Sequence, residues 1–167
     1  MKIGLISDTH SYLDPKVMEY FAEVDEIWHA GDVGDFGLIE ELEKFKPLYG
    51  VYGNIDGHKV REVFPEDQYL LREGVKIWMT HIGGKPPRYN SRTRPMMASK
   101  QPDVFICGHS HICAVMHDPK NKHILYINPG AAGRHGFHKI RTIMRFDLEE
   151  GKIKNMQVIE LGARAKG

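Results

Sequence analysis

Residues 2–10, with the sequence KIGLISDTH, join a short apolar run directly to Asp8 and His10, two side chains of metal-binding type. A strand places residues i and i+2 on the same face, so strand geometry predicts that Asp8 and His10 point the same way. Four further segments have the same form, with ligand-type side chains following an apolar run: His29-Ala30-Gly31-Asp32, Tyr52-Gly53-Asn54-Ile55-Asp56, Met79-Thr80-His81 and Cys107-Gly108-His109-Ser110-His111. Since ligands bind at strand ends in open α/β sheets, these segments are predicted to meet at one site.

The side chains of these segments define a mixed set of nitrogen and oxygen ligands. Without a thiolate, such a set suits Mn²⁺, Fe²⁺ or Zn²⁺ better than Ca²⁺ alone or a cysteine-bound structural zinc. Seven ligands suffice for two ions if one carboxylate bridges them, and ions about 3.5–4 Å apart are typical of displacement at phosphorus. The predicted ligands are Asp8, His10, Asp32, Asn54, His81, His109 and His111. Glycines 31, 53 and 108 indicate tight turns where these ligands crowd together.

Length and composition limit the remaining possibilities. A chain of 167 residues is predicted to form one domain over residues 1–167, and it can bury roughly 70% of its unfolded surface without disulfides. A formal net charge of +1 excludes a general basic coat for nucleic acid. The apolar runs fall far short of the ~20 residues of a membrane span. Two cysteines and no secretory leader favour the cytoplasm.

The order of predicted elements indicates an α/β fold. Strands and helices alternate at first, which favours parallel pairing: strands 2–7, 26–30 and 48–52, with helices 16–24 and 38–46. Strands dominate the second half, with a single helix over 95–100 capped by Thr93 and with turns at Glu73-Gly74 and Glu150-Gly151. The predicted strands there are 69–72, 76–80, 104–107, 114–118, 124–127, 140–147 and 153–160. Two mixed sheets packed face to face, with helices outside, accommodate them.

The order of the motifs resembles that of the calcineurin-like metallophosphoesterases. The matching pieces are Asp8-Thr-His10, Gly31-Asp32, Gly53-Asn54, Thr80-His81 and Gly108-His109-Ser-His111, within residues 1–147. Ile127-Asn128-Pro129-Gly130 resembles the small YfcE-type phosphodiesterase branch. The resemblance implies an αββα four-layer sandwich of two mixed β-sheets flanked by helices, and it favours a homodimer.

The resemblance also implies how the ligands are shared between two divalent ions. By position, one ion takes Asp8, His10, Asp32 and His111, and the other takes Asp32, Asn54, His81 and His109, with Asp32 bridging. Mn²⁺ is favoured, with Fe²⁺, Zn²⁺ and Ni²⁺ as alternatives. The implied reaction is attack on phosphorus by a metal-bound hydroxide, with no catalytic side chain beyond the ligands.

One position departs from the pattern of the family. Many members have a histidine after the Gly-Asn pair that can protonate the leaving oxygen, whereas this chain has Ile55. Loss of a general acid costs roughly 10²–10⁴-fold and matters least for leaving groups that depart unassisted. Members of the small branch often lack this histidine too, which favours a small phosphodiester as substrate. Asp56 either orients a neighbouring group or is a solvated turn carboxylate.

Two further segments offer groups that could contact the substrate. Lys85, Arg88, Arg92 and Arg94 follow His81, and Arg88 is favoured as a ligand of the substrate phosphate. Arg134, His135 and His138 lie in a glycine-containing loop predicted to reach the metal site, where His135 is favoured as the missing proton donor. His29, by contrast, is predicted to pack in the interior.

The leading hypothesis is therefore a dinuclear metal-dependent phosphodiesterase. The alternative is a non-catalytic scaffold for protein assembly, as in Vps29-like relatives of retromer, which have a changed residue at the bridging Asp. Asp32 and Asn54 are both present here, which favours the enzyme. Nucleic acid is expected only as an end to be cleaved, unless the loop 85–94 forms a groove for a strand.

Overall fold

The computed structural model describes residues 1–164, which form twelve strands and four helices. All ten predicted strands are present, with bounds shifted by one to three residues. In chain order the elements are β1 (Lys2–Ile6), α1 (Lys16–Tyr20), β2 (Glu26–His29), α2 (Phe36–Phe45), β3 (Leu48–Gly50), α3 (His58–Val63), β4 (Asp67–Arg72), β5 (Val75–Thr80), β6 (Gly84–Lys85), β7 (Arg88–Tyr89), α4 (Thr93–Lys100), β8 (Val104–Ile106), β9 (Ala114–His117), β10 (Leu125–Asn128), β11 (Ile140–Glu149) and β12 (Lys152–Ala163).

Ten of these strands form two mixed sheets of five, as predicted. The first sheet has the order β12-β11-β1-β2-β3, with β1, β2 and β3 parallel and β11 antiparallel to β1. The second has the order β4-β5-β8-β10-β9, with β5, β8 and β10 parallel and an antiparallel strand at each edge. Each sheet therefore contains three neighbouring parallel strands, at one side of the first sheet and in the centre of the second, and the carboxyl ends of each set lie together.

Alternation of side chains along the strands divides the core into layers. Ile3 and Leu5 of β1 pack with Ile77 and Met79 of β5 between the sheets. On the outer face of the first sheet, Ile6 and its neighbours pack with buried residues of α1, α2 and α3: Val17, Leu38, Ile39, Leu42 and Val60. On the outer face of the second sheet, Trp78 and Phe105 pack with Met97 of α4. The predicted four-layer αββα sandwich is confirmed.

The helices differ from prediction more than the strands do. Helix α1 ends at Tyr20 rather than Val24, because the amides of Ala22 and Val24 bond three residues back in successive turns. Thr93 is the first residue of α4, and the Oδ1 atom of Asn90 accepts from its amide at 2.8 Å. Helix α3 and the β6–β7 hairpin were not predicted, since each is too short to show a hydrophobic period. No helix within residues 1–164 is long and apolar enough to cross a membrane.

Candidate metal centre

The seven predicted ligands meet where the carboxyl ends of the parallel strands of the two sheets face each other. Strands β1, β2 and β3 bring Asp8, His10, Asp32 and Asn54, and strands β5 and β8 bring His81, His109 and His111. Hydrogen bonds join the sheets at this edge. The amide of His109 donates to Asp8 Oδ2 at 3.1 Å, and His81 Nδ1 lies 2.7 Å from the carbonyl oxygen of Ala30.

The ligand atoms fall into two neighbouring groups. The atoms of each group lie within 4.8 Å of one another, and the groups are Asp8, His10 and His111, and Asp32, His81 and His109. Asn54 joins the second group, with its Oδ1 atom 3.1 Å from His109 Nδ1. Asp32 Oδ2 lies between the groups, at 3.4 Å from His10 Nε2 and 3.2 Å from His81 Nε2.

Each carboxylate has one oxygen held by the protein and one directed to the centre. Asp8 Oδ2 accepts from the Ser7 hydroxyl at 2.7 Å and from the His109 amide, and Asp32 Oδ1 accepts from the Ile55 amide at 3.1 Å. Asp8 Oδ1 is left free and lies 3.2 Å from His111 Nε2. The fixed oxygens thus orient the free ones.

Three buried ligand atoms have no hydrogen-bond partner within residues 1–164: Asp8 Oδ1, His10 Nε2 and His81 Nε2. Leaving such a group unsatisfied costs about 1–3 kcal/mol, so a buried cluster of them calls for a ligand. Bonds of about 2.0–2.2 Å to one ion place neighbouring ligand atoms roughly 3–3.5 Å apart, which matches the shorter separations here. The residues present therefore fit divalent metal ions.

Without metal, the carboxylates and imidazoles of the site shift one another's pKa values. Burial by itself would raise the pKa of Asp32, but the neighbouring imidazoles of His10 and His81 outweigh burial and lower that pKa far below its usual value. Burial likewise would lower the pKa of His81, but Asp32 and Asp8 outweigh it and raise that pKa. The site is thus strongly anionic without protons or cations, which favours divalent cations.

The backbone of the ligands contradicts the strand geometry predicted for Asp8 and His10. Strand β1 ends at Ile6, and both residues have left-handed backbone angles, with φ of 52° and 45°. Asp32, His109 and His111 also have positive φ, between 57° and 70°. The ligands converge because the chain leaves the extended conformation, in a region that costs most residues about 1–2 kcal/mol each.

Two of the predicted glycines are required by close approach rather than by a turn. A Cβ atom on Gly53 would lie 2.0 Å from Asp32 Oδ1, and one on Gly108 would lie 2.3 Å from Ser7 Oγ and 2.8 Å from Asp8 Oδ2. Only Gly31 among the three has a positive φ, of 101°. These glycines leave room for the two carboxylates.

Asp56 is a buried positioning residue and not a solvated turn carboxylate. Its Oδ2 atom accepts from the amides of Gly53 at 2.8 Å and Val33 at 3.1 Å, and its Oδ1 atom accepts from Gly34 at 2.9 Å. One side chain therefore ties the segment that holds Asp32 to the segment that holds Asn54.

His29 is buried, as predicted, and supports the same segments. Its Nδ1 atom accepts from the Gly31 amide at 3.1 Å, so Nε2 carries the proton toward the Thr9 hydroxyl at 3.0 Å. Burial lowers the pKa of His29 to about 4, with partial opposition from Asp56 and Asp8. A neutral imidazole thus links the β1 and β2 ends.

Sequence reasoning missed two supporting side chains. Ser7 donates to Asp8, and Asn128 Nδ2 donates to the Gly108 carbonyl at 3.0 Å and to Ser110 Oγ at 3.1 Å, which holds the loop between His109 and His111. The available signal was a polar residue at the end of an apolar strand, beside ligand-type residues.

The four basic side chains that follow His81 are not all placed to contact a substrate. Arg88 is exposed on β7, whereas Lys85 lines a pocket beside His109. Arg92 binds Asp67 at 2.9 Å, and Arg94 donates to a backbone carbonyl, so both have structural partners. The contact between Arg88 and substrate stays a prediction.

The loop 133–138 reaches the ligands, as predicted. The His135 ring lies 4.9 Å from that of His10, and the His138 ring lies 5.1 Å from that of His111. His138 Nε2 donates to the Gly133 carbonyl at 2.8 Å, and Arg134 stacks on an aromatic ring. Arg134 and His135 are both exposed, and of these two only His135 lies beside a ligand ring, that of His10.

Residues 1–151 match the family model of the calcineurin-like phosphoesterase superfamily domain. The chain belongs to this superfamily. Within it, a probable metallophosphoesterase of Methanocaldococcus jannaschii is 33% identical over 138 residues, which are 78% of this chain and 68% of that protein. A phosphodiesterase of the same organism is 30% identical over 146 residues, which are 78% of this chain and 83% of that protein.

Solved structures share the fold of this chain. An archaeal phosphodiesterase matches with a TM-score of 0.77 at 27% identity, over 96% of this chain and all of that chain. Vps29 of Chaetomium thermophilum matches with a TM-score of 0.76 at 15% identity, over 99% of this chain and all of that chain. The likeness to Vps29 at this identity shows the fold alone.

Proposed function

We propose that the protein is a phosphodiesterase that depends on two divalent metal ions, with Mn²⁺ favoured. The observation that carries the proposal is the pair of ligand groups, whose free buried atoms surround a common centre. Two ions held there would supply Lewis acidity for the phosphoryl oxygens and a water of lowered pKa as nucleophile. One ion would take Asp8, His10, Asp32 and His111, and the other Asp32, Asn54, His81 and His109.

The chain's own residues prepare the site for this chemistry. Asp32 Oδ2 is within 3.4 Å of histidine nitrogens from both groups, which suits a bridging carboxylate. Ser7, Asp56 and the glycines fix the ligand positions before substrate arrives, so little reorganisation is needed. Preorganisation of this kind supports catalysis rather than metal storage.

The proposed preference for diesters rests on Ile55. An isoleucine has no proton for the leaving oxygen, and Ile55 uses its backbone amide to hold Asp32. His135, exposed beside His10, could donate a proton to the leaving oxygen in its place. A small phosphodiester with a good leaving group makes the least demand on that donor.

A single domain over residues 1–167, a homodimer and a cytoplasmic location stay predictions.

The test combines metal counting with activity. Protein stripped by chelation is titrated with Mn²⁺ in a calorimeter, then assayed on bis(p-nitrophenyl) phosphate and on p-nitrophenyl phosphate. We expect two ions per chain and a higher kcat/KM for the diester. D32N should lose both the second ion and at least 10²-fold in kcat. Binding of a single ion, or near-normal turnover by D32N, would refute the dinuclear proposal, and a preference for the monoester would refute the subclass.

A scaffold for protein assembly is the second candidate, favoured by one observation. Phe137 is fully exposed on the loop that covers the ligands, and Ile55 is nearly half exposed beside Asn54. Exposed apolar side chains around a site suit a protein partner as well as a substrate. A protein that binds metal but hydrolyses neither substrate would support this candidate over the enzyme.

A further inference from the structure

Two pockets open beside the second ligand group, and they differ in character. The apolar pocket, of about 290 Å³, is lined by His109 together with Ile82, Ile112, Ala114 and Tyr126. The polar pocket, of about 460 Å³, is lined by Asn54 and His81 together with Tyr52, Arg61, Glu66 and Arg92. Ile82 and Asn90 line both pockets and form the ridge between them. A phosphorus at the ligand group thus has a different pocket on each side.

Apart from the exposed Lys85, which also lines the apolar pocket, the polar side chains of this pocket already have partners within the protein. Asn90 Nδ2 donates to the Ile82 carbonyl at 2.9 Å, and its Oδ1 atom accepts from the Thr93 amide. Ser110 Oγ accepts from the Ile112 amide at 3.2 Å. The surface left for a ligand consists mainly of hydrocarbon and one aromatic ring.

The isoleucines at the mouth of this pocket are unusually exposed. Ile82 is 41% and Ile112 is 64% exposed, although each directly follows a metal ligand. Exposed aliphatic side chains grouped at the mouth of a site mark a surface that a ligand covers. Burying such side chains against an apolar group gains free energy, whereas a charged group there would lose its hydration.

The polar pocket adds charged side chains of both signs, with Arg61 and Arg92 beside Glu66. The guanidinium of Arg61 stacks 4.3 Å from the Tyr52 ring, and its Nε atom donates to the Asp56 carbonyl at 2.7 Å. Its terminal nitrogens therefore keep a fixed position in which they can bind an anionic or hydroxylated group.

Given the proposed function, on which this inference rests, we infer that the substrate is an asymmetric phosphodiester. One substituent on phosphorus is an apolar ring, which enters the apolar pocket against Ile82, Ile112 and Tyr126. The other is polar and faces Arg61. At about 290 Å³ the apolar pocket is at the small end of ligand pockets, which suits one ring system rather than a long chain.

Inhibitor binding tests the pocket apart from catalysis. Phenylphosphonate and methylphosphonate carry the same charged group. They differ only in the substituent on phosphorus, which is a phenyl ring in one and a methyl group in the other. We expect phenylphosphonate to inhibit wild-type diesterase at least about tenfold more tightly, and I112A to reduce that preference about three- to tenfold. I55A is the matched control, since Ile55 also follows a ligand directly but lines neither pocket among the described residues; it should keep the wild-type preference.

A second readout does not depend on turnover. In protein with ¹³C-labelled isoleucine δ1-methyl groups, phenylphosphonate should shift the Ile82 and Ile112 signals through its ring current, and methylphosphonate should not. The signals are assigned from I82A and I112A. Equal inhibition by both phosphonates, or ring-dependent shifts at Ile55 instead, would overturn the apolar pocket while leaving the proposed function intact. If the wild type hydrolyses no diester, the proposed function fails, and the methyl titration alone decides whether the pocket binds a ring.

Discussion

At the scale of single residues, the candidate metal centre is assembled from groups held in unfavourable states. Among the described residues 1–164, Asp8 Oδ1 and His81 Nε2 are buried without hydrogen-bond partners, and five candidate ligands have left-handed backbone angles. Each unsatisfied atom costs about 1–3 kcal/mol, and each left-handed residue about 1–2 kcal/mol. Such costs persist only where surrounding residues enforce the geometry, and Asp56 and His29 are two of those residues.

Asp56→Asn tests whether the carboxylate between the two segments sets metal affinity. An amide has one acceptor oxygen and so cannot accept from the amides of Val33, Gly34 and Gly53 together, as both Asp56 oxygens do. We expect Mn²⁺ affinity to fall about 10–100-fold, measured by calorimetry. Asp35→Asn makes the same change on an exposed carboxylate of the neighbouring loop and should leave affinity unaltered. Equal affinity in both variants would show that Asp56 does not position ligands.

The buried imidazole of His29 makes stability depend on pH in a known direction. Its pKa is about 4 in the folded protein against 6.5 when unfolded, so the unfolded chain alone binds the proton between those values. The stability from the neutral ring is complete above pH 6.5 and is lost as pH falls toward 4, by roughly 3 kcal/mol. Urea unfolding in chelator should show this loss.

His29→Gln isolates that contribution. Glutamine does not titrate, so the variant should lose about 3 kcal/mol less than the wild type between pH 7 and pH 4, even if its stability at pH 7 is lower. His117→Gln, at an exposed position of β9, serves as the control and should follow the wild type. Parallel curves for the wild type and the His29 variant would contradict the assignment of a neutral buried ring.

At the scale of elements, the sequence determines where strands stop, but not how the chain continues. Apolar runs followed by ligand-type residues located the ends of β1, β2, β5 and β8 correctly. The left-handed conformation of Asp8 and His10 was not predictable, because it depends on bonds such as that between the His10 amide and the Asp32 carbonyl, 3.1 Å long. Those bonds form only after the strands pair.

A buried ion pair connects the segment before α1 to β11. Arg141 Nη1 donates to Asp14 Oδ2 at 2.6 Å, and Asp14 Oδ1 accepts from the Lys16 amide. Asp14→Ala should lower the free energy of unfolding by about 2–4 kcal/mol, because it leaves the arginine charge buried without its partner. Urea unfolding of Asp14→Ala, Arg141→Met and the double variant measures the coupling. A double variant as unstable as the sum of the single variants would rule the coupling out.

The same pair adds an acid-sensitive contribution. Burial would raise the pKa of Asp14, but the Lys16 amide and Arg141 outweigh burial and lower that pKa. The stabilisation is therefore present above the unfolded pKa of about 3.9 and is lost as pH falls through the lower folded value. The destabilisation caused by Asp14→Ala should be largest near neutral pH and should shrink below pH 4.

At the scale of the whole molecule, the site exists because two sheets present their strand ends to one edge. Asp8 and His111 are far apart in the chain, yet Asp8 Oδ1 lies 3.2 Å from His111 Nε2. The fold and the convergence of the seven candidate ligands were predictable, since each of these residues follows a recognisable strand. The two pockets were not, because the Ile82–Asn90 ridge belongs to a loop and a short hairpin whose path depends on packing against the second sheet.

Metal binding should couple this edge to the stability of the whole fold. Ions that bind the folded chain alone stabilise it by about 2.7 kcal/mol per site at one hundred times Kd, which is about 5–10 °C in Tm for a chain of this size. Thermal unfolding of chelated protein with and without Mn²⁺ should show at least this rise. D32N should lose most of it, because Asp32 Oδ2 contacts both ligand groups. Equal rises in the wild type and D32N would place the stabilising ions elsewhere on the molecule.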